Sequence, residues 1–223
     1  TYNRKHLFRE VEGASEDILE KIQAIIDRAK DENIKRFGRL VRLIDRCPPE
    51  EYFEIVDTSG HFDEEVAHVY QKTYWAIRLN YCINRMNNNK DRHFAEELVQ
   101  VFRQLEKRGL HLDDGHTISQ TLMTSSMSGA VISNQIKWYS EFLERNWNKI
   151  ALPSDEERKA FSSFARAYMA LYSSNLSDAH DHIINFQNSV LYSRTSYANF
   201  AMRIGADKVL SKIYFEQKES IAL

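Results

Sequence analysis

Glycine and proline are scarce in this chain of 223 residues, which contains seven glycines and three prolines. An average soluble protein of this length carries about twice as many glycines and several times as many prolines. Because these two residues interrupt helices and build tight turns, their scarcity argues against a loop-rich or all-β protein. The composition therefore predicts an almost entirely helical chain.

The balance of apolar and charged residues narrows the class further. Hydrophobic residues make up 43% of the chain and charged residues 28%, which supplies a sizeable core and argues against intrinsic disorder. No run of about eighteen apolar residues occurs, so we expect no membrane-spanning helix and no membrane partner. Thirty basic and thirty-two acidic side chains nearly cancel, which gives no electrostatic reason to expect a nucleic-acid partner.

The two cysteines of the chain, Cys47 and Cys82, bear on its compartment. They are too few for a disulfide framework, and their spacing is not that of a Cys-x-x-Cys pair. The N-terminal segment 1–13 contains no apolar stretch long enough for a signal peptide. These features favour a reducing compartment, and we expect the protein to be cytoplasmic.

Apolar residues recur at three- and four-residue steps over most of the chain, which is the spacing of amphipathic helices. We expect N-terminal helices over 1–60, followed by helix pairs, in one all-helical domain that spans 1–223. The predicted pairs lie near 61–108, 115–148, 155–190 and 194–223. The last three pairs begin about forty residues apart, an interval typical of α-helical repeats whose pairs stack into a continuous core.

Glycines and capping residues predict where individual helices begin and end. Gly109 is expected to end one helix as a C-terminal cap. Ser154 is expected to begin another, since Ser154 and Glu157 have the spacing of a capping box, in which each side chain accepts a hydrogen bond from a free backbone amide. The same reasoning makes Gly129 and Gly205 joints between helices.

Large and small side chains follow a definite order over 161–186. A first helix carries two large residues, a small one and an aromatic, and a second carries small, large and apolar residues at helical steps: Phe161, Phe164, Ala165 and Tyr168, then Ala179, Ile183 and Phe186. This pattern resembles a degenerate tetratricopeptide-type unit, an antiparallel pair whose small residues let the two helices approach closely. The resemblance implies antiparallel helix pairs stacked as a right-handed superhelix or α-solenoid.

A looser pattern covers 94–223. It includes the blocks LVQVFRQLEKRGLHLDDGHTIS and VLSKIYFEQKESIAL, with the segment 138–147 between them. This stretch resembles a group of uncharacterised bacterial helical-repeat proteins, and the resemblance brings no catalytic signature and no substrate with it. We therefore expect a non-enzymatic scaffold that binds a protein or peptide partner and needs no cofactor.

The tetratricopeptide resemblance also implies a binding face, because the first helix of each unit in that family faces a concave ligand groove. Carried over to the matched helix, it places two cations, two hydroxyls and one thioether there: Lys159, Ser162, Ser163, Arg166 and Met169. Lys159 and Arg166 lie two turns apart and share one face, where they can hold a carboxylate or phosphate of a peptide through charge-assisted hydrogen bonds. An ordinary solvated helix face is the alternative interpretation. The asparagine used by the carboxylate-gripping branch of the family is not evident, so recognition of a free C-terminus is not predicted.

Aromatic and cationic side chains interleave between residues 70 and 85, a composition compatible with stacking on exposed bases. Tyr74 and Arg78 are the candidate contacts of this alternative, a nucleic-acid-binding helical scaffold. The competing interpretation is that the tyrosines line the core while the cations lie outside, and a net charge of -2 gives a nucleic-acid partner no support.

Two groups of side chains suggest the main alternative to the scaffold, a metal-dependent enzyme, with the nucleic-acid-binding scaffold as the third possibility. Glu65 and His68 have the Glu-x-x-His spacing of di-metal helical bundles, but those bundles need a second such motif, which this sequence lacks. Asp178 and His182 share a helix face from which His180 points away, so at most two ligands converge there. Ordinary structural or surface roles are the other interpretation, and we expect no bound metal. The chain also lacks a Walker loop and a Gly-x-Ser-x-Gly elbow, so nucleotide binding and elbow-type hydrolysis have no motif here.

A final stripe of apolar residues continues to the end of the chain without the polar cap that a repeat array needs at its ends. Its members are Val209, Leu210, Ile213, Tyr214, Ile221 and Leu223. We expect this face either to pair with another copy of the chain or to pack on residues that continue the chain beyond Leu223.

Overall fold

The computed structural model describes residues 48–59, 68–89, 91–113, 115–194 and 197–222, with isolated positions between 24 and 38. The predictions on Glu65, Cys47 and Leu223 lie outside these residues. Where the sequence predicts one domain, the internal contacts divide the chain into two compact units, Thr1–Asn84 and Arg85–Leu223.

Within the described residues all regular secondary structure is helical, which confirms the predicted all-α class. In chain order the helices are α1 (Pro49–Ser59), α2 (His68–Asn89), α3 (Arg92–Lys107), α4 (Gln120–Ile132), α5 (Ile136–Asn146), α6 (Asp155–Tyr172), α7 (Leu176–Gln187), α8 (Val190–Ser193) and α9 (Tyr197–Ala222). A 3₁₀ turn over Trp147–Lys149 follows α5. Isolated β-bridges join Asp113 to Thr117 and Ile118 to Ile150. No helix in the described part of the chain is long and apolar enough to span a membrane.

In the first unit, aromatic packing joins α1 to α2. The Tyr52 ring stacks on the Tyr81 ring, with 4.6 Å between the ring centroids and 5° between the ring planes. The Tyr52 hydroxyl lies 3.3 Å from the sulfur of the buried Cys82. Because a stacked pair of this kind contributes about 0.5–1.5 kcal/mol beyond its burial, it holds α1 against α2.

In the second unit, helices that follow one another in the chain pack side by side. α3 packs on α4, α4 on α5 and α6 on α7, and α9 packs on α6 and α7. Among the residues of this unit whose burial is described, seven aromatic side chains are buried: Phe94, Phe102, Tyr139, Phe142, Phe161, Phe164 and Phe186. The rings of Phe164 and Phe186, 5.1 Å apart, join α6 to α7.

Turns of one kind connect α4 to α5 and α6 to α7. Each contains a non-glycine residue in the left-handed backbone region, Asn134 with φ 59° or Ser174 with φ 60°. The N–H of the next residue donates to a carbonyl five residues earlier: Gln135 N to Ala130 O at 2.7 Å, and Asn175 N to Ala170 O at 2.9 Å. This is the Schellman motif. The second turn follows the first by forty residues, which is the interval predicted for the helix pairs.

The glycines of the second unit have two different functions. Gly109 ends α3 with φ 68°, which confirms the predicted C-terminal cap. Gly129 and Gly205 are not joints, because they lie inside α4 and α9. A Cβ atom at Gly129 would lie 3.0 Å from the Leu98 side chain, and one at Gly205 would lie 2.7 Å from the Tyr168 hydroxyl. These glycines therefore allow helices to approach each other closely.

The C-terminal part of the second unit differs from the helix pair predicted near 194–223. A single helix, α9, covers this region because Gly205 continues the helix instead of breaking it. Two members of the predicted terminal stripe, Val209 and Ile213, are buried within the unit, whereas Tyr214 is 50% exposed. The side chains of Ile221 and Leu223 lie outside the described residues.

Candidate functional site

The candidate binding face lies on α6, and the first turn of that helix fixes where the face begins. Ser154 is the N-cap, and its hydroxyl accepts a hydrogen bond from the Glu157 backbone N–H at 3.2 Å. The predicted start of the helix is thus confirmed. The other half of the capping box is not formed as predicted, because the Glu157 carboxylate is buried and pairs with Arg194.

Most of the α6 surface is covered, since α6 packs against α7, α8 and α9 and also against α4 and α5. Asp155 and Glu156 in its first turn and Tyr172 in its last turn are exposed. Between these ends lie the exposed Lys159 and Arg166, with the half-buried Ser162 and Ser163 between them along the chain. We call these four residues the basic strip. Met169, the fifth residue predicted for this face, is only 8% exposed and packs with the interior.

The carboxylates in the first turn of α6 differ in their partners. Asp155 accepts from Arg158 at 2.6 Å and Glu157 pairs with Arg194, whereas Glu156 is exposed three residues before Lys159 and forms no ion pair in the described part of the molecule. Lys159 and Arg166 are exposed, and neither has an ion-pair or hydrogen-bond partner for its side chain within the described part of the molecule. The strip can therefore offer two cations to an anionic ligand without breaking an internal ion pair.

A second polar cluster, which the sequence reasoning missed, lies where α3 and α5 end. The Arg145 guanidinium donates two hydrogen bonds to the Glu106 carboxylate, at 3.0 and 2.9 Å. The Asn146 amide nitrogen donates to Glu106 at 3.2 Å and to the Phe142 carbonyl at 3.0 Å. Burial raises the pKa of Glu106, but the hydrogen bonds from Arg145 and Asn146 and the charge of Arg145 outweigh it, so the net pKa is lowered.

His111 extends this cluster into the loop after α3. Its Nε2 lies 3.3 Å from the Asn146 side-chain oxygen, which is the acceptor because the Asn146 nitrogen donates elsewhere. The ring is 7% exposed, and its Nδ1 has no hydrogen-bond partner among the described residues. The cluster anchors the loop to α5. Glu106 and Arg145 are 39 residues apart, and no local motif in the sequence signals their pairing.

Tyr74 and Arg78, the candidate nucleic-acid contacts, lie in the interior of the first unit. Tyr74 is 2% exposed and Arg78 is 9% exposed. The Arg78 guanidinium donates to the Tyr74 hydroxyl at 2.9 Å and lies 4.7 Å from the centroid of the Trp75 ring. The tyrosines thus line the core, and an arginine accompanies them there; neither the Tyr74 ring nor the Arg78 guanidinium is accessible for stacking on a base.

The candidate metal ligands on α7 are engaged in local contacts. Asp178 accepts a hydrogen bond from the side-chain amide of Asn175, the N-cap of α7, at 2.6 Å. The His180 ring meets the Tyr214 ring edge-on, with 6.3 Å between centroids, and His182 is half-buried. No group of three or more histidine, cysteine, aspartate or glutamate side chains that could hold a metal occurs among the described residues. The side chain of His68, at the start of α2, is outside them.

Comparison with protein-family models, curated proteins and solved structures finds no match to this chain. The tetratricopeptide resemblance therefore rests on the residue pattern over 161–186, and the stacking of helix pairs into a superhelix stays a prediction.

Proposed function

We propose that this chain is a non-enzymatic helical-repeat scaffold that binds an acidic, extended segment of a protein partner on the basic strip of α6. The observation that carries the proposal is the pair of exposed cations, Lys159 and Arg166, that lack ion-pair partners in the described part of the molecule, while Asp155 and Glu157 pair with other cations. Charge-assisted hydrogen bonds to carboxylates are the strongest contacts these side chains make.

The spacing of the two cations defines the ligand more closely. Seven residues of α-helix separate Lys159 from Arg166, which corresponds to about 10 Å along the helix axis. A peptide in the polyproline II conformation rises about 3.1 Å per residue with three residues per turn, so two acidic side chains three positions apart lie on one side of it and about 9 Å from each other. The hydroxyls of Ser162 and Ser163 lie between the cations and can donate hydrogen bonds to the same peptide. The proposed ligand is therefore an extended segment of the form acidic-x-x-acidic.

A solenoid arrangement of the helix pairs is part of the proposal. It is supported by the Schellman turns at Asn134 and Ser174, which join the two helices of each pair and lie forty residues apart, although the same motif also ends α3 at Gly109. Repeat scaffolds of this kind bind extended segments along their helices. We also propose a reducing compartment, the cytoplasm, because the two cysteines of the chain are too few for a disulfide framework.

Fluorescence anisotropy with labelled peptides tests the proposal. The probe peptide carries two glutamates separated by two residues in a proline-rich sequence that favours the polyproline II conformation, and the control peptide has the same composition with adjacent glutamates. We expect the spaced peptide to bind more tightly, and Lys159→Glu or Arg166→Glu to weaken it by about tenfold or more, because each puts like charges together. Lys137→Glu, at an exposed lysine of α5, is the matched control and should leave binding unchanged. Equal binding of the two peptides, or an equal loss in the control variant, would contradict the proposal.

A further inference from the structure

Both faces of α9 carry apolar side chains, but only one of the two faces is buried. Its inner face is buried within the second unit through Met202, Ala206, Val209 and Ile213. Its outer face also carries large apolar side chains, and these are exposed: Phe200 at 52%, Ile204 at 41% and Phe215 at 62%. Exposed apolar residues that cluster on one face are typical of protein interaction surfaces.

The outer face consists of two parallel ridges, each with four-residue steps. The first ridge is Phe200, Ile204 and Lys208, and the second is Asp207, Ser211 and Phe215. Each ridge has an aromatic ring at its outer end and a charge at its inner end, and the two charges are opposite in sign. Ridges of this kind are the units by which helices pack on one another.

A two-fold axis between positions 207 and 208, perpendicular to α9, exchanges the two ridges. It relates position 200 to 215, 204 to 211 and 207 to 208. We propose that α9 is a self-association surface on which a second copy of this chain docks with its own α9 antiparallel. Phe200 then packs on Phe215 of the partner subunit, Ile204 faces Ser211 of the partner subunit, and Asp207 pairs with Lys208 of the partner subunit.

Charge complementarity favours a second copy of the chain as the partner and an antiparallel arrangement of the two α9 helices. Asp207 and Lys208 are exposed, and neither has an ion-pair partner in the described part of the chain. In the antiparallel register the two-fold axis creates two ion pairs, because Asp207 of each copy lies opposite Lys208 of the other. A parallel two-fold pairing would instead place Asp207 against Asp207 of the partner subunit, which is unfavourable. Self-complementarity about a two-fold axis is what an isologous dimer interface requires.

Sedimentation equilibrium of the full chain, with charge reversal and rescue, tests the surface. We expect the unmodified chain to dimerise reversibly, and Asp207→Lys or Lys208→Asp to weaken the dimer by about tenfold or more, because each places like charges opposite one another at both sites. The combined Asp207→Lys/Lys208→Asp variant restores opposite charges and should regain the affinity. Phe215→Ser should also favour the monomer, whereas Val190→Ser, at an apolar residue of α8 that is 51% exposed, should not. Circular dichroism of each variant reports whether the fold is kept.

Disulfide formation between variants that each carry one added cysteine tests the register. Position 204 of one copy lies opposite position 211 of the other, whereas the two copies of position 204, like the two copies of position 211, lie two turns, about 10 Å, apart, which is too far for a disulfide. A mixture of Ile204→Cys and Ser211→Cys chains should therefore cross-link, whereas each variant alone should cross-link no more than the unmodified chain with Cys47 and Cys82.

A strictly monomeric chain at high concentration would overturn the proposal. The proposal would also fail if the combined Asp207→Lys/Lys208→Asp variant did not regain affinity for its own copy. It would fail as well if either cysteine variant alone cross-linked as much as the mixture. These outcomes are independent of peptide binding on α6, because the two surfaces share no residues.

Discussion

Arg194 forms an ion pair with the carboxylate of Glu157, whose side chain is 3% exposed, while the Arg194 side chain is 49% exposed. The second carboxylate oxygen of Glu157 is buried without a hydrogen-bond partner among the described residues. Arg194 follows α8 directly, so this pair ties the segment before α9 to the first turn of α6. It also withdraws Glu157 from the basic strip.

Removing the arginine should destabilise the second unit. In Arg194→Gln the buried carboxylate loses its charged partner, a change that costs about 3–5 kcal/mol for a fully buried pair. Because Arg194 is half-exposed and solvent screens the pair, we expect a smaller loss in the free energy of unfolding, about 1–2 kcal/mol. Urea denaturation measures it, and Arg166→Gln, which removes an exposed unpaired arginine, is the control. Equal stability of the two variants would show that the ion pair does not hold this segment.

The Glu106–Arg145 pair should make stability depend on pH in the acidic range. The folded state lowers the pKa of Glu106 from its ordinary value of 4.5. Its contribution is therefore fully present above that value and is lost as the pH falls through the folded pKa. Because Arg145 is 49% exposed, we expect Glu106→Gln to cost about 1 kcal/mol or less at pH 7, and the difference from the unmodified chain to shrink towards pH 3. A difference that grows on acidification would contradict this sign.

Gly205→Ala should destabilise the contact between α9 and α6. The new Cβ atom would lie 2.7 Å from the Tyr168 hydroxyl and 3.1 Å from the Phe164 ring. Overpacking of this kind costs about 1–3 kcal/mol, which exceeds the gain of about 1 kcal/mol that alanine brings to a helix interior. Tyr168→Phe removes the nearer atom, so Gly205→Ala should cost less in that background. Thermal denaturation of the unmodified chain, the two single variants and the double variant measures the coupling between positions 205 and 168. Additive effects on stability would argue against this contact.

Ser174→Gly should stabilise the turn between α6 and α7. A left-handed backbone costs a residue with a Cβ atom roughly 1–2 kcal/mol, which glycine avoids, although glycine also gains entropy when unfolded. We expect a net gain of about 0.5 kcal/mol or more at Ser174 and less at Asn134→Gly, because asparagine tolerates this conformation. Chemical denaturation measures the free energy of unfolding of both variants. A larger gain for Asn134→Gly than for Ser174→Gly would contradict the prediction.

The sequence predicts the elements of this fold that depend on local chemistry. Ser154 and Gly109 act on their own neighbours in the chain, so a cap and a C-terminal glycine can be recognised from residue type and spacing. Gly129 and Gly205 could not be assigned in this way, because a glycine that ends a helix and one that admits a neighbouring helix look alike in a sequence. Ser174 carries no glycine signal at all, although its turn matches that of Asn134.

The sequence predicts only the part of the candidate site that depends on local helical spacing. Helical spacing places Lys159 and Arg166 on one face, and the structure exposes both. Helical spacing does not predict that other helices cover α6 on several sides, which buries Met169 and leaves only a narrow strip exposed. The pairing of Glu106 with Arg145 and of Glu157 with Arg194 depends on contacts between distant segments, which residue spacing does not encode.

A charge-swap titration tests the central claim, recognition of an acidic segment by the basic strip, most directly. The double variant Lys159→Glu/Arg166→Glu is titrated with the spaced glutamate peptide and with the same peptide carrying lysines at the two acidic positions. We predict that the unmodified chain prefers the glutamate peptide and that the variant prefers the lysine peptide, because the charges of the strip are reversed. If both chains prefer the same peptide, or bind neither, the basic strip is not the binding site.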